Sequence, residues 1–548
     1  MLIADYGRIR PRESNQRVRL RGRCMIRSDY ARFPWSSRRT GRSPRRTGGR
    51  SAPKRAVPTG PAGHGGGMTT SQPGPAGHSA DRGERRPQTL LVLGATGDLA
   101  DRLLLPGLGR LVASGTRPHL TLLGSGMDDW DDERWRRRVT DAFAGAGATG
   151  PRVKEMIRTT CYLPADVTRE EDLRRLLANC HDQLVIFFAL PPAITARAAA
   201  ALTRIGLPPG TRLMLEKPFG TDAVSARSLN DLLARLVPEE QIYRIDHFLG
   251  KSTVMNILGL RYANRIFEPI LSSAHVACVD IVFDETLGIA GRAGYYDGAG
   301  ALVDMIQSHL LQVLALIAME PPPTLAAQDL RGRKAQVLRA TRVWGDDPAT
   351  WSRRGRYAAG EINGKRLLGY ADESGVDPSR GTETFAEVVL SVDTWRWAGV
   401  PFRLRTGKGL AARRKEAVVT FKQPPRVPSG LTGYDQPDRL RIGFGPDRLG
   451  LDVNINGPGH PLELSQVHLV ADFGPGELPP YGEVLRGAFD GDPTLSVRGD
   501  TAEDCWRIIA PVLECWRAGA VPLPEYPAGS CGPEDSLLTA APGAATDG

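Results

Sequence analysis

The densest group of side chains able to do chemistry is Arg244-Ile245-Asp246-His247-Phe248-Leu249-Gly250-Lys251. His247 and Lys251 together suit a phosphate, with Lys251 as a point charge and His247 as a donor. If the preceding strand runs on, Asp246 and His247 point to opposite sides and need not serve one ligand. A second histidine, His309, lies in the apolar stretch Gly298 to Gln312, which has helical spacing. Taken alone, His309 reads as a satisfied core histidine. Two further stretches, Ala189-Leu190-Pro191-Pro192 and Glu216-Lys217-Pro218-Phe219-Gly220, close apolar runs. At the carboxyl edge of an open sheet, such positions touch ligands. The alternative for Lys217 is a solvated strand end.

Upstream lies Leu91-Val92-Leu93-Gly94-Ala95-Thr96-Gly97-Asp98-Leu99-Ala100, an apolar run entering a glycine turn and then a helical pattern. Gly94 permits the tight turn, and Gly97 lets backbone approach a pyrophosphate. The helix that follows offers unpaired N–H groups to an anion.

The elements that must position these groups alternate from Leu90 onward. Strands are expected at Leu90 to Leu93, Leu120 to Leu123, Leu184 to Ala189, Leu213 to Leu215 and Ile242 to Ile245, and helices at Leu99 to Ala113 and Thr195 to Ile205. That alternation predicts a doubly wound α/β domain over 87–247. A long helical pattern, Ser252 to Leu271, comes next. Strands Val276 to Phe283, Thr384 to Val392, Ala417 to Phe421 and Arg439 to Phe444 then follow without regular helices between them. This predicts an α+β domain with a large, mostly antiparallel sheet over 248–530. Residues 531–548 read as a flexible C-terminus, and residues 1–86, rich in Arg, Gly, Pro and Ser, as a disordered tail.

The formal charge of +10 over 548 residues invites a nucleic-acid reading, but residues 1–67 hold 17 Lys and Arg against 3 Asp and Glu. That segment carries +14 and leaves the rest at −4, so a basic binding platform is not expected in the folded part. Seven dispersed cysteines suggest reduced thiols in a cytoplasmic chain, and no metal site is expected. The longest apolar stretches, near Leu184 to Leu190 and Leu310 to Met319, are too short to span a bilayer, so no membrane partner is expected.

Gly94 to Ala100, Glu216 to Gly220, Arg244 to Lys251, Gln307-Ser308-His309-Leu310-Leu311-Gln312, Arg405-Thr406-Gly407-Lys408 and Trp506-Arg507-Ile508 occur here in the order found in glucose-6-phosphate dehydrogenases. The chain resembles that family over about 90–535. The resemblance implies a Rossmann-like dinucleotide-binding domain ahead of the α+β domain. It also implies oxidation of glucose 6-phosphate to 6-phosphogluconolactone, the first step of the pentose phosphate pathway. By the same resemblance His309 is the catalytic base and Asp246 its carboxylate partner. His247 and Lys251 bind the sugar phosphate, and Lys217, Glu285, Asp304 and Lys408 contact sugar or phosphate. Gly94, Thr96, Gly97, Asp98, Leu99, Leu190, Pro191 and Lys217 would hold NADP, with NAD possible, and a homodimer or homotetramer is implied. Where many relatives carry Tyr this chain has Phe248. Met127 stands where relatives place an Arg for the adenosine 2'-phosphate, so a weak cofactor preference is expected. Alternatives are a dehydrogenase of the same fold acting on another aldose or aldose phosphate with NAD, and a catalytically silent scaffold relative.

Overall fold

The computed structural model describes residues 87–537 apart from 117–118, 290–292, 434–435, 458 and 475; the expected tail 1–86 and residues 538–548 lie outside the described residues. Six strands build most of the first sheet: β1 (Gln88–Leu93), β2 (Leu120–Gly126), β3 (Cys161–Pro164), β4 (Gln183–Phe188), β5 (Arg212–Glu216) and β6 (Ile242–Ile245). All pair in parallel, in the order β6-β5-β4-β1-β2-β3. Parallel strands are covered on both faces, which is why β1 and β4 read as continuous apolar runs. Leu91, Leu93, Ile186 and Phe188 enter one core, whereas Leu90, Val92, Val185 and Phe187 enter the other. The seventh strand comes from far downstream, where Ser496–Val497 pairs antiparallel with Ile245 and Arg244 of β6. Helix Pro480–Asp490 also returns to this half, placing Tyr481, Leu485 and Phe489 in the core under β1.

The second sheet has eleven strands. Most neighbours are antiparallel, as expected, but β7 (Val276–Asp284) runs parallel to Phe402–Gly407. Its other neighbour, Arg414–Phe421, is antiparallel to it. This arrangement brings Glu285, just past the end of β7, beside the residue after Gly407, Lys408.

Three expectations need correction. The helix expected over 252–271 ends at Tyr262. There the Asn264 amide donates to the carbonyls of Gly259 and Leu260, satisfying the last turn, and only a short 3₁₀ turn, Glu268–Ile270, follows. Residues 531–537 are held rather than free: the Ser536 hydroxyl and the Leu537 N–H both donate to the Glu387 carboxylate. The apolar stretch at Leu310 belongs to a longer run of helix, Ala293–Ala318, which has the length and hydropathy of a membrane span, but an 18-residue apolar window of it is 89% buried inside the protein. That run kinks at Gly300, whose φ of +69° is left-handed. The nine residues after Ala301, Leu302–Leu310, form a wide-turn π-helix.

Candidate active site

The glycine turn closes as its sequence requires. Gly94 has φ +85°, and a Cβ there would stand 2.3 Å from the Ala189 carbonyl oxygen and 3.0 Å from Leu190 Cδ2. A side chain would therefore separate the turn from the end of β4. The N–H groups of Gly94 and Ala95 both donate to the Ser125 carbonyl at 2.8 Å, tying the turn to β2. A Cβ on Gly97 would meet only the Gly94 carbonyl, at 3.3 Å, so its outer face is open to a ligand. These features fit a dinucleotide at this turn, with Gly94, Thr96, Gly97, Asp98 and Leu99 on one side and Leu190 and Pro191 on the other. At the end of β2 the Thr96 hydroxyl donates to Asp128 Oδ2 at 2.5 Å, and Met127 is 81% exposed.

Beyond β6 the strand does not continue. Asp246 to Gly250 form a tight turn, with the Leu249 N–H donating to the Asp246 carbonyl. Asp246 and His247 therefore do not diverge, because strand alternation stops at Ile245. One polar side-chain atom of each lies within 4.8 Å of the other and of one of His309, and all three residues are buried. His309 Nδ1 lies 2.5 Å from Asp246 Oδ1, which also accepts the Phe248 N–H at 2.9 Å. With Nδ1 engaged, Nε2 of His309 has no hydrogen-bond partner among the described residues. The His247 ring meets that of His309 edge-on, centroids 4.6 Å apart.

Burial pushes the His309 pKa down to about 4 against the attraction of Asp246, so the ring is neutral near pH 7. Burial would raise Asp246, but the neighbouring His309 and the Phe248 N–H hold its carboxyl below the ordinary value. A neutral imidazole with one nitrogen fixed on a carboxylate and the other bare has the arrangement that an oriented general base requires.

Around this pair stand the expected cations. Lys217 donates to the Asp304 main-chain oxygen at 2.6 Å and to Oδ1 at 2.9 Å. Burial alone would raise Asp304, yet the Lys217 ammonium holds it far below the usual carboxylate range. Asp304 and His309 share the wide-turn helix. Five residues apart, they would diverge on a regular α-helix, and a wider turn reduces the angle between them. Lys251 lies 4.2 Å from the centroid of Phe248, and burial lowers its pKa to about 8. Lys408 donates to Glu285 Oε2 at 2.9 Å.

Every expected substrate-side residue thus converges on one region. The sequence reading missed three members. Lys415 is buried and donates to Glu285 Oε1 at 2.9 Å. Tyr481, brought back by the Pro480–Asp490 helix, stacks on His247 at 6.1 Å. Glu216 sits before Lys217, its carboxyl pushed up to about 7 by burial against the hydrogen bond of Tyr481. Lys415 pairs with Phe283 in register, a relationship visible only once the strands are aligned.

Residues 91–256 match the family model described as "Glucose-6-phosphate dehydrogenase, NAD binding domain", and 258–542 match "Glucose-6-phosphate dehydrogenase, C-terminal domain". The chain is 37% identical over 474 residues to the glucose-6-phosphate 1-dehydrogenase of Zymomonas mobilis, covering 82% of this chain and 97% of that one. It is 35% identical over 478 residues to the Bacillus subtilis enzyme of the same name, covering 82% and 96%. A solved glucose-6-phosphate dehydrogenase in complex with its substrate glucose-6-phosphate superposes with a TM-score of 0.73 at 27% identity, covering 82% of this chain and 96% of that one. The Mycobacterium avium enzyme superposes with a TM-score of 0.70 at 32% identity, with the same coverages. Two family models spanning nearly all of residues 91–542, and relatives matched over almost their whole length, establish that the chain belongs to the glucose-6-phosphate dehydrogenase family.

Proposed function

We propose that this chain oxidises glucose 6-phosphate at carbon 1 to 6-phosphogluconolactone, with NADP as hydride acceptor. The observation that carries the reading is the buried His309–Asp246 pair, with Nε2 of His309 left free and the His247 ring against that of His309. In this reading His309 Nε2 takes the proton of the 1-hydroxyl group. Asp246 holds Nδ1–H and stabilises the imidazolium that forms. Lys251 and His247 hold the phosphate at the far end of the sugar, and that remote binding aligns carbon 1. Lys217, Asp304, Glu285 and Lys408 contact the sugar. The nicotinamide, when bound at the Gly94–Gly97 turn, accepts the hydride. Residues 87–247 serve as the dinucleotide-binding domain and 248–530 as the domain for substrate binding and oligomerisation.

Association as a homodimer or homotetramer through the second sheet is supported by Ile455, Leu469, Val470 and Phe473, apolar side chains exposed on and beside its outer strands. A cytoplasmic location is supported by described cysteines that all carry free thiols.

Initial rates followed at 340 nm with glucose, glucose 6-phosphate and galactose 6-phosphate, each with both cofactors, test the reading. The highest kcat/KM should fall to glucose 6-phosphate. A higher value for another aldose would reassign the substrate, and no reduction with any sugar would point to a silent scaffold.

A further inference from the structure

Lys334 is a buried cation that the proposed reaction does not use. It lies on helix Ala327–Arg339, which packs against Leu311–Ala318, the continuation of the wide-turn helix that carries His309. The residue is 2% exposed, and its ammonium makes one hydrogen bond among the described residues, to Gln312 Oε1 at 3.1 Å. It forms no ion pair among them. Burying an unpaired ammonium is costly, and an apolar side chain would pack between these helices at less cost, so packing alone gives no reason for the charge.

Gln312 connects this cation to the catalytic pair. It stands three residues after His309, is buried, and turns its amide toward Cys505 Sγ at 3.7 Å. Gln312 and Asp246 line one small cavity, together with Lys217, Gln307 and Cys505. Asp246 Oδ1 is taken by His309 and the Phe248 N–H, whereas Oδ2 is buried with no hydrogen-bond partner among the described residues. The charge of that carboxylate is therefore balanced through space, where a low dielectric lets cations act at a distance. Lys217 is one such cation, although its ammonium is already bound to Asp304. Lys334 is the other. Burial lowers its pKa to about 8, and Asp246 is the carboxylate that most opposes that fall, so the ammonium stays charged near pH 7. The remaining groups that act on Lys334 are the Cys505 thiol, Arg331, which pairs with Glu239, and Arg498, which pairs with Asp500.

We propose that Lys334 is a positioning residue for the catalytic base: its buried ammonium, held by Gln312, keeps Asp246 a carboxylate and leaves His309 neutral and ready to take the proton of the 1-hydroxyl group. A cation beside the pair favours the carboxylate and disfavours the imidazolium. The inference rests on the reading of His309 as the general base.

The test follows kcat/KM for unphosphorylated glucose against pH in the full-length enzyme and in Lys334→Met and Lys334→Arg. The other charged and titratable groups around the pair, Lys217, His247, Lys251, Asp304, Glu216 and Tyr481, are the same in all three. Lys334→Met should move the midpoint of the acid limb upward by roughly 0.5 to 1 unit, because the imidazolium no longer meets an opposing charge. The Michaelis constant for glucose 6-phosphate should change less than about twofold. Lys334→Arg, which keeps the cation, should keep the wild-type midpoint. An unmoved midpoint in Lys334→Met, whatever the loss of melting temperature or of overall rate, would mean that Lys334 only packs the helices and would overturn the proposal. An equal displacement in Lys334→Arg would overturn it too, since the charge would then not be the cause. Should Lys334→Met not fold, Lys334→Gln, which keeps a donor toward Gln312 without the charge, carries the same comparison. Near wild-type kcat in His309→Asn would instead overturn the underlying reading of the base.

Discussion

The imidazole of His309 lies face to face with the phenyl ring of Phe248, centroids 4.2 Å apart and planes within 9° of each other. Phe248 is the residue whose N–H donates to Asp246, so one residue fixes the carboxylate through its backbone and the imidazole through its ring. The plane of His309 is thereby set from two directions, and Nδ1 is held toward Asp246. The sequence contains both residues, but their contact spans a turn after β6 and a helix sixty residues later.

Replacing His309 by Asn should lower kcat by roughly 10²- to 10⁴-fold with substrate binding largely retained, the range expected on losing a general base. Near wild-type kcat would remove His309 from that role. Because burial depresses its pKa to about 4, the neutral base form persists well below the ordinary histidine range and is lost only as pH falls through that value. The kcat/KM for unphosphorylated glucose, whose profile contains no titrating phosphate, should accordingly stay level from pH 7 to about 5 and fall below it. An acid limb centred at 6.5 or above would contradict the buried, neutral assignment.

Lys251→Ala should act on the Michaelis constant for glucose 6-phosphate, raising it by roughly 10- to 100-fold while changing kcat much less. The Michaelis constant for the dinucleotide serves as the internal control. An unchanged constant for the sugar phosphate would exclude Lys251 from the phosphate site.

Cofactor preference should be weak. Discrimination for NADP rests on a guanidinium at the adenosine 2'-phosphate, worth about 1.5 to 3 kcal/mol, or one to two orders of magnitude. At the end of β2 this chain offers Met127 and the carboxylate of Asp128. The nearby arginines are engaged: Arg102 pairs with Asp98 at 2.6 Å, and Arg134 and Arg138 lie over the Trp130 ring at 4.5 and 5.0 Å. Values of kcat/KM for NADP and NAD, measured at saturating glucose 6-phosphate and fixed ionic strength, should differ by less than about a hundredfold. A larger NADP preference would show that one of those arginines swings onto the 2'-phosphate.

Glu383 accepts the Leu302 N–H at 2.9 Å, at the start of the helix carrying Asp304 and His309. Burial raises its pKa to about 7, against the lowering effect of that N–H. A carboxyl whose folded pKa exceeds its unfolded value of 4.5 contributes stability that is complete below 4.5 and lost as pH rises through 7. Glu383→Gln keeps a carbonyl for Leu302 and removes the titration. Its melting temperature relative to wild type should therefore rise between pH 5 and pH 8. A constant difference across that range would mean that Glu383 is not protonated in the folded protein.

Much of the first sheet was legible because parallel strands with two buried faces leave unbroken apolar runs, and β1, β4 and β6 were found within two residues of their ends. β3 escaped notice because its four residues, Cys161–Pro164, are only partly buried. Ser496–Val497 was invisible for another reason: two residues carry no periodicity, and their partner lies some 250 positions away. In the site, the motifs located Asp246, His247, Lys251 and His309, whereas the convergence of Lys415 and Tyr481 depends on strand register and on a returning helix. The end of the strand at Ile245 decided the relation of Asp246 to His247, and apolar alternation does not mark that end.

The pairing of Ser496–Val497 with β6 also sets an order of events during synthesis. From the moment Ile245 leaves the ribosome until Val497 follows, the nascent dinucleotide sheet presents the bare edge of β6 and an apolar underside still waiting for the Pro480–Asp490 helix. The half of the molecule that is translated first is thus completed only once Val497 has emerged, and until then the growing chain exposes a strand edge open to other chains.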